Sequence, residues 1–284
     1  MAGKAYKSID AICDALIVVL LQVAIVFVII LLPGTLTIVR EASARGYNTL
    51  GDMSMSVMQD AIADNYGMQV LIRFARCIGF MLAPFLYELF RKKKTIAEEY
   101  IRGLKLDWKS FAKGLLWGVA FVALSVALTS IMALRFPDFG NALSRFPHDY
   151  FLPVIYSLLW CVAVEMFSRY YPYIKTSSVS KVLFVVLSCG LFIYSTIGFF
   201  PCMDVFSCLY LMLINLVLSL KMLNQEGASE NIGFNMMVVM FFLFGIKACL
   251  EASPTGVIVV LAIVCGYELY RIRGHKKHEH GNET

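Results

Sequence analysis

The sequence predicts an all-α polytopic membrane protein, a single domain over residues 1–284 with about eight transmembrane helices and both termini cytoplasmic. The chain is 59% hydrophobic and 16% charged, with a mean hydropathy of +0.72. Soluble domains are about 45–50% apolar and about 25% charged, so the excess apolar surface faces lipid. These values exclude a water-soluble globule, a secreted disulfide scaffold and a disordered chain.

Eight apolar runs approach the roughly 20 residues that a transmembrane helix needs. Their continuity, without alternation, favours helices over a β-barrel. The predicted spans are Ala11–Pro33, Met68–Phe90, Phe111–Leu134, Phe151–Pro172, Val182–Phe200, Val205–Met222, Ile232–Leu250 and Pro254–Tyr270. If Val205–Met222 is re-entrant, the count falls to seven. The first run follows Lys4 and Lys7 as a signal peptide does, but it is too long and lacks an Ala-x-Ala site, so we interpret it as a retained span.

Lysine and arginine residues set the predicted orientation. With both termini cytoplasmic, the inner segments and the span ends beside them contain 18 of them, and the outer segments and the span ends beside them contain five, while Arg73 and Arg76 are counted apart, within the second span. The net charge of +5 therefore indicates contact with membrane lipids, not with nucleic acid. The inner loop Arg91–Ser110 is interpreted as an anchor or as a site for an anionic lipid or a partner. In the outer loop Ala42–Gly67 the pattern predicts a short amphipathic helix.

Ionisable side chains inside spans are candidates for function. Glu165 and Arg169 lie four residues apart in the fourth predicted span, so they share a helical face. They form either a structural ion pair or part of a binding site. The other polar groups within or near spans are interpreted as snorkelling cations, an interfacial pair and interhelical amides: Arg73 and Arg76, Lys247 and Glu251, Asn215 and Asn235.

No histidine occurs within a predicted span. His148 lies in an outer loop, and the other three lie in the C-terminal tail 274–284, which we expect to be flexible. The eight cysteines form no CxxC motif, so the sequence predicts neither a metal site nor a cofactor. A disulfide among Cys202, Cys208 and Cys249 requires an oxidising outer face.

Three degenerate motifs occur beyond residue 100: Val164-Glu165-Met-Phe-Ser-Arg169, Phe192-Ile-Tyr-Ser-Thr196 and Asn235-Met-Met-Val-Val239. In this order they resemble Glu-Glu-x-x-x-Arg, Phe-x-x-x-His and His-x-x-x-Asn, the motifs of the CPBP family of intramembrane proteases, which includes CAAX-processing and bacteriocin-related members. The resemblance covers roughly residues 100–250.

The resemblance also implies that the site has lost its chemistry. In active members a glutamate and two histidines handle the water or metal, and an asparagine helps to stabilise the oxyanion. Glu165 and Arg169 are retained here, but the first glutamate, the two histidines and the asparagine are replaced by Val164, Thr196, Asn235 and Val239. Neutral Thr, Val and Asn side chains do not act as a general base or supply the metal ligands at neutral pH.

The leading hypothesis is a non-catalytic CPBP-like binding or scaffold subunit of a membrane complex, in the bacterial cytoplasmic (inner) membrane, with lipids and a second membrane protein as partners. The alternatives are an active protease of this family with an unconventional site, and a small-solute or ion transporter. Under the leading hypothesis Glu165, Thr196 and Asn235 line one shared cavity. Thr196, however, lies about 20 Å from the inner face at helical rise, whereas Glu165 lies nearer that face.

Overall fold

The computed structural model describes residues 2–47, 53–134, 151–196, 205–224, 228–244 and 254–281. Every regular element in these ranges is a helix, which confirms the predicted all-α class. The helices are α1 (Ala2–Ala44), α2 (Met55–Ala63), α3 (Tyr66–Phe90), α4 (Lys94–Gly103), α5 (Trp108–Ala133), α6 (Phe151–Val164), α7 (Tyr171–Thr176), α8 (Lys181–Thr196), α9 (Val205–Leu223), α10 (Ala228–Phe244) and α11 (Pro254–Gly281). A π-helix, Glu165–Tyr170, joins α6 directly to α7.

Within the described ranges, three helices are long and apolar enough to cross a membrane: Tyr6–Ala44, Tyr66–Phe90 and Trp108–Ala133. On this basis the chain is an integral membrane protein. The apolar helix α8 has 16 residues, about 24 Å at helical rise, which is shorter than the roughly 30 Å of a hydrocarbon core. The later predicted spans are short, interrupted by the π-helix, or bounded by residues that are not described.

Two helices extend beyond the limits predicted from the apolar runs. Helix α1 has 43 residues and continues past Pro33, where the first span was predicted to end. Beyond the proline, the hydroxyls of Thr35 and Thr37 donate to carbonyl oxygens four residues earlier, at 2.7 and 2.9 Å. Helix α11 likewise continues through Gly281, past Tyr270, where the eighth span was predicted to end. Hydropathy marks where the apolar run ends, whereas backbone hydrogen bonding continues beyond it.

The segment Ala42–Gly67, predicted to be an outer loop, contains the short helix that its apolar pattern predicts. This helix is α2, and the Ser54 hydroxyl at its N-cap accepts the Val57 N–H at 3.4 Å. Other predicted features lie outside the described residues: His148, Lys247, Glu251, Cys202, Cys249 and the side chain of Cys208.

A glycine-lined seam holds α5 against α10. A Cβ atom on Gly114 would lie 2.0 Å from the Glu230 carbonyl oxygen, and one on Gly233 would lie 2.2 Å from the Phe111 carbonyl oxygen. Gly118, four residues after Gly114, approaches α10 in the same way. Small residues at this spacing allow two helix backbones to touch inside a membrane. The seam fixes the position of α10 and therefore of the polar side chains that α10 carries.

A charged cluster joins α1, α3 and α7 at one end of the bundle. Lys175 Nζ lies 2.6 Å from Asp14 Oδ2 and 2.7 Å from Glu88 Oε1. Arg91 forms a second ion pair with Asp14, and both carboxylate residues are buried. No local sequence pattern indicates this cluster, because its members lie far apart in the chain.

A second charged cluster joins α5, α9 and α10 at the same end. Glu230 accepts hydrogen bonds from Lys113 Nζ at 2.8 Å and from Lys221 Nζ at 3.2 Å. The Asp107 N–H, just before α5, donates to Ser229 Oγ at 2.9 Å. Helix α4 packs on the π-helix and α7 and leads into Asp107, so it connects the two clusters.

We expect Gly233→Ala to lower the stability of the protein by about 1–3 kcal/mol, because the added methyl group overpacks the seam. Thermal unfolding of the detergent-purified chain measures this change. Gly190→Ala is the matched control, since a Cβ on this helical glycine of α8 would meet no atom within 4 Å. Equal unfolding temperatures for wild type and Gly233→Ala would contradict the close approach of α5 and α10.

Candidate functional site

The fourth predicted span is helical throughout, but its hydrogen-bonding pattern changes at Glu165. From Glu165 to Tyr170 the backbone forms a π-helix, in which the Tyr171 N–H donates to the Met166 carbonyl five residues earlier. Pro172 follows directly. A proline lacks the N–H and clashes with the carbonyl four residues before it in a regular α-helix, so a wider turn fits here. Apolar run length predicts a regular helix here and does not reveal the π-helix, a feature frequent at functional sites.

Glu165 and Arg169 form the ion pair that their spacing predicts. Arg169 Nε lies 2.5 Å from Glu165 Oε2, and both side chains are fully buried. The other carboxylate oxygen, Oε1, accepts a hydrogen bond from Asn231 Nδ2 at 3.0 Å. Both oxygens of Glu165 are therefore occupied, and its charge is neutralised inside the bundle.

Arg169 extends the polar network to two more helices. Its Nη1 donates to Asn215 Oδ1 on α9 at 2.6 Å, which confirms Asn215 as an interhelical hydrogen-bonding residue. The Asn215 amide in turn contacts Cys189 Sγ on α8 at 3.3 Å. The guanidinium carbon lies 5.4 Å from the centroid of the Phe192 ring, within cation–π range. The network thus joins the π-helix, α8, α9 and α10.

Thr196 and Asn235 are buried, as Glu165 is, and among the described residues no hydrogen bond joins either of them to Glu165. The Thr196 hydroxyl donates to the Phe192 carbonyl of its own helix at 2.5 Å. On α10 the residue that reaches Glu165 is Asn231, one turn before Asn235. Residues four apart share a helical face, so Asn235 lies beyond Asn231 on the side of α10 that faces the network.

Sequence reasoning missed Asn231 because it lay outside the predicted seventh span, which was taken to begin at Ile232. Helix α10 begins earlier, at Ala228. A usable signal was present in Asn231-Ile-Gly-Phe-Asn235, where two amides recur at helical spacing.

Three buried polar atoms, two in the network and one beside it on α10, have no hydrogen-bond partner among the described residues: Arg169 Nη2, Asn231 Oδ1 and Asn235 Nδ2. An unsatisfied buried donor or acceptor costs about 1–3 kcal/mol. Such atoms are rare in purely structural packing, and they give this network the capacity to bind a polar group.

Arg76, which the sequence predicts to be a snorkelling cation, also contacts a neighbouring helix. Its Nη2 donates to the Ser195 carbonyl oxygen at 3.2 Å, at the C-terminal end of α8. A cation is favourable there because the last carbonyl groups of a helix lack backbone partners. Arg73 is more exposed and lies 5.9 Å from the centroid of the Tyr156 ring. Both arginines therefore connect α3 to neighbouring helices.

The chemical capacity of the site follows from these contacts. Glu165 is the carboxylate of the network, and its two oxygens already accept hydrogen bonds from Arg169 and Asn231. In the part of the chain that is described, no group of three His, Cys, Asp or Glu side chains is placed to hold a metal ion. The geometry supports a polar anchor between four helical elements.

No family model, curated protein or solved structure matches this chain. The relation to the CPBP proteases remains a hypothesis that rests on the motif residues.

We expect Glu165→Gln or Arg169→Met to lower the free energy of unfolding by roughly 3–5 kcal/mol, because each leaves the other charge buried without its partner. The double variant should lose less, since it removes both charges. Thermal unfolding in detergent tests this order of stabilities.

The exposed pair Glu41 and Arg45 is a matched control, with the same residue types, the same spacing and a 2.7 Å separation. Glu41→Gln and Arg45→Met should leave stability nearly unchanged, because water solvates the remaining charge. If the single variants at 165 and 169 were as stable as wild type, the buried pair would not stabilise the fold.

Proposed function

We propose that the chain is a non-catalytic, CPBP-protease-like protein that acts as a binding or scaffold subunit of a complex in the bacterial cytoplasmic membrane. One observation carries this proposal. The buried carboxylate of the first motif, Glu165, is fully engaged by Arg169 and Asn231. A carboxylate held in this way positions helices and is not available to accept a proton from water.

The family relation is supported by which helices meet at Glu165. The second motif begins at Phe192, whose ring lies against the Arg169 guanidinium group. We propose that the third motif reads Asn231-Ile-Gly-Phe-Asn235, one turn earlier than the sequence alone suggested. In this register the family asparagine is retained as Asn235, and a neutral amide, Asn231, replaces the histidine.

A binding role is favoured over a purely structural one by the hydrogen-bonding capacity that remains in the network. Arg169 and Asn235 each have a donor without a partner among the described residues, and Asn231 has such an acceptor. These groups suit a polar segment of a partner helix or a small polar ligand.

One observation favours the active-protease alternative. The π-helix begins at Glu165, and such turns frequently occur where a helix carries function. In this alternative the carboxylate must exchange Arg169 or Asn231 for water before it can act as a base.

We further propose about eight spans with both termini cytoplasmic. The two charged clusters, around Asp14 and Glu230, bring together the start of α1, the end of α3, the start of α5, the end of α7 and the end of α9. These are the cation-bearing ends that the positive-inside rule assigns to the cytoplasm.

Reporter fusions test this topology. A fluorescent protein, active only in the cytoplasm, should be active when fused at either terminus, and a phosphatase that requires the periplasm should be active when inserted within residues 135–150. An active phosphatase at the C-terminus, together with an active fluorescent protein at the N-terminus, would contradict an even number of spans.

The purified chain should not cleave prenylated or leader-peptide substrates, because the described site lacks a free general base. Product formation is measured by mass spectrometry, with an active CPBP protease as positive control. Chelator-sensitive cleavage that Glu165→Gln abolishes would support the protease alternative.

Purification in mild detergent after crosslinking in native membranes should recover a second membrane protein in fixed stoichiometry, and recovery of the chain alone would contradict the scaffold role.

A further inference from the structure

A groove with a volume of about 330 Å³ lies on the lateral surface of the bundle, between α5 and α11. Its α5 wall is formed by one helical stripe that includes Lys113, Trp117, Ala120 and Leu124. This volume falls within the roughly 300–1,000 Å³ typical of small-molecule sites. The groove is lined by other residues than Glu165 and Arg169, so it is separate from the buried polar network.

The α11 wall is a matching stripe that runs in the opposite direction, through Val260, Val264, Tyr267 and Arg271. The two helices touch near one end, where a Cβ on Gly256 would lie 2.8 Å from Thr129 Cα. The groove is closed at this contact and open at its opposite end. The apolar residues of both stripes lie toward the closed end, and the cations lie at the open end.

The groove has the depth of one leaflet. From Leu124 to Lys113 it follows eleven residues of α5, about 16 Å at helical rise. Half of a hydrocarbon core of roughly 30 Å is nearly the same length. Trp117 and Tyr267 are about half exposed between the aliphatic part and the cations, as aromatic side chains are at the level of lipid headgroups.

The charge at the open end favours an anion. The buried Glu230 is engaged by Lys113 and Lys221, at 2.8 and 3.2 Å. The buried Glu268 accepts a hydrogen bond from Asn224 at 2.7 Å and lies 3.6 Å from Arg271. Both carboxylates are therefore neutralised behind the opening.

The exposed charge at the opening is cationic. The side chain of Lys113 is 58% exposed and that of Arg271 is 30% exposed, whereas those of Glu230 and Glu268 are only 5% and 4% exposed. Among the described residues, three cations, Lys113, Lys221 and Arg271, lie around the two buried carboxylates of this opening.

We propose that this groove binds one anionic phospholipid of the cytoplasmic leaflet. An acyl chain lies along Ala120, Leu124, Val260 and Val264, and the headgroup phosphate lies between Lys113 and Arg271. The site is independent of the proposed scaffold function, but its assignment to the cytoplasmic leaflet rests on the proposed orientation.

Native mass spectrometry of the full chain in detergent tests the site, with phosphatidylglycerol, phosphatidylcholine and soluble glycerol phosphate as probes. Phosphatidylglycerol should bind most tightly. Lys113→Ala and Arg271→Ala should each raise its apparent Kd about fivefold, the effect of roughly one cation near an anionic lipid. Lys109→Ala is the matched control, because Lys109 is exposed on the first turn of α5 outside the groove.

Ala120→Trp should also weaken phosphatidylglycerol binding, since it fills the apolar slot without a change of charge. Ala123→Trp places the same side chain on an exposed part of α5 outside the groove and should have no effect. Equal affinities for phosphatidylglycerol and phosphatidylcholine would overturn the proposal. So would glycerol phosphate binding as tightly as the lipid, or Lys109→Ala weakening binding as much as Lys113→Ala.

Discussion

Every charge that enters the apolar part of this bundle must find its partner within the protein, and Glu165 is a fully buried example. Its carboxylate is fully buried and engaged by Arg169 and Asn231. Without water to solvate a separated charge, the π-helix, α9 and α10 must stay in register for the pair to remain neutral. The polar network therefore acts as a constraint on helix positions, whatever else it binds.

Backbone features bring the members of this network together. Glycines at positions 114 and 233 let α10 approach α5 closely, which sets where Asn231 and Asn235 lie. Pro172 follows the π-helix that starts at Glu165 and disfavours a regular α-helical turn there. Small residues and one proline thus decide the geometry of a site whose chemistry belongs to larger side chains.

The charged end of the bundle has a different role from its buried middle. The clusters around Asp14 and Glu230 join helices that are distant in sequence, and they neutralise most of their own charge. Two partly exposed cations at this end, Lys113 and Arg271, lie at the mouth of an apolar groove. The same positive residues can therefore orient the protein, tie its helices together and contact the lipid surface.

The sequence by itself determined the helical class, the membrane character and the Glu165–Arg169 pair, because apolar run length and i, i+4 spacing are local properties. It did not determine which helices touch. Asn231, the Asp14 cluster and the placement of Phe192 instead of Thr196 beside Arg169 depend on contacts between segments many residues apart. Tertiary packing decides these contacts, since glycine seams and a π turn shift helices by distances that hydropathy does not record.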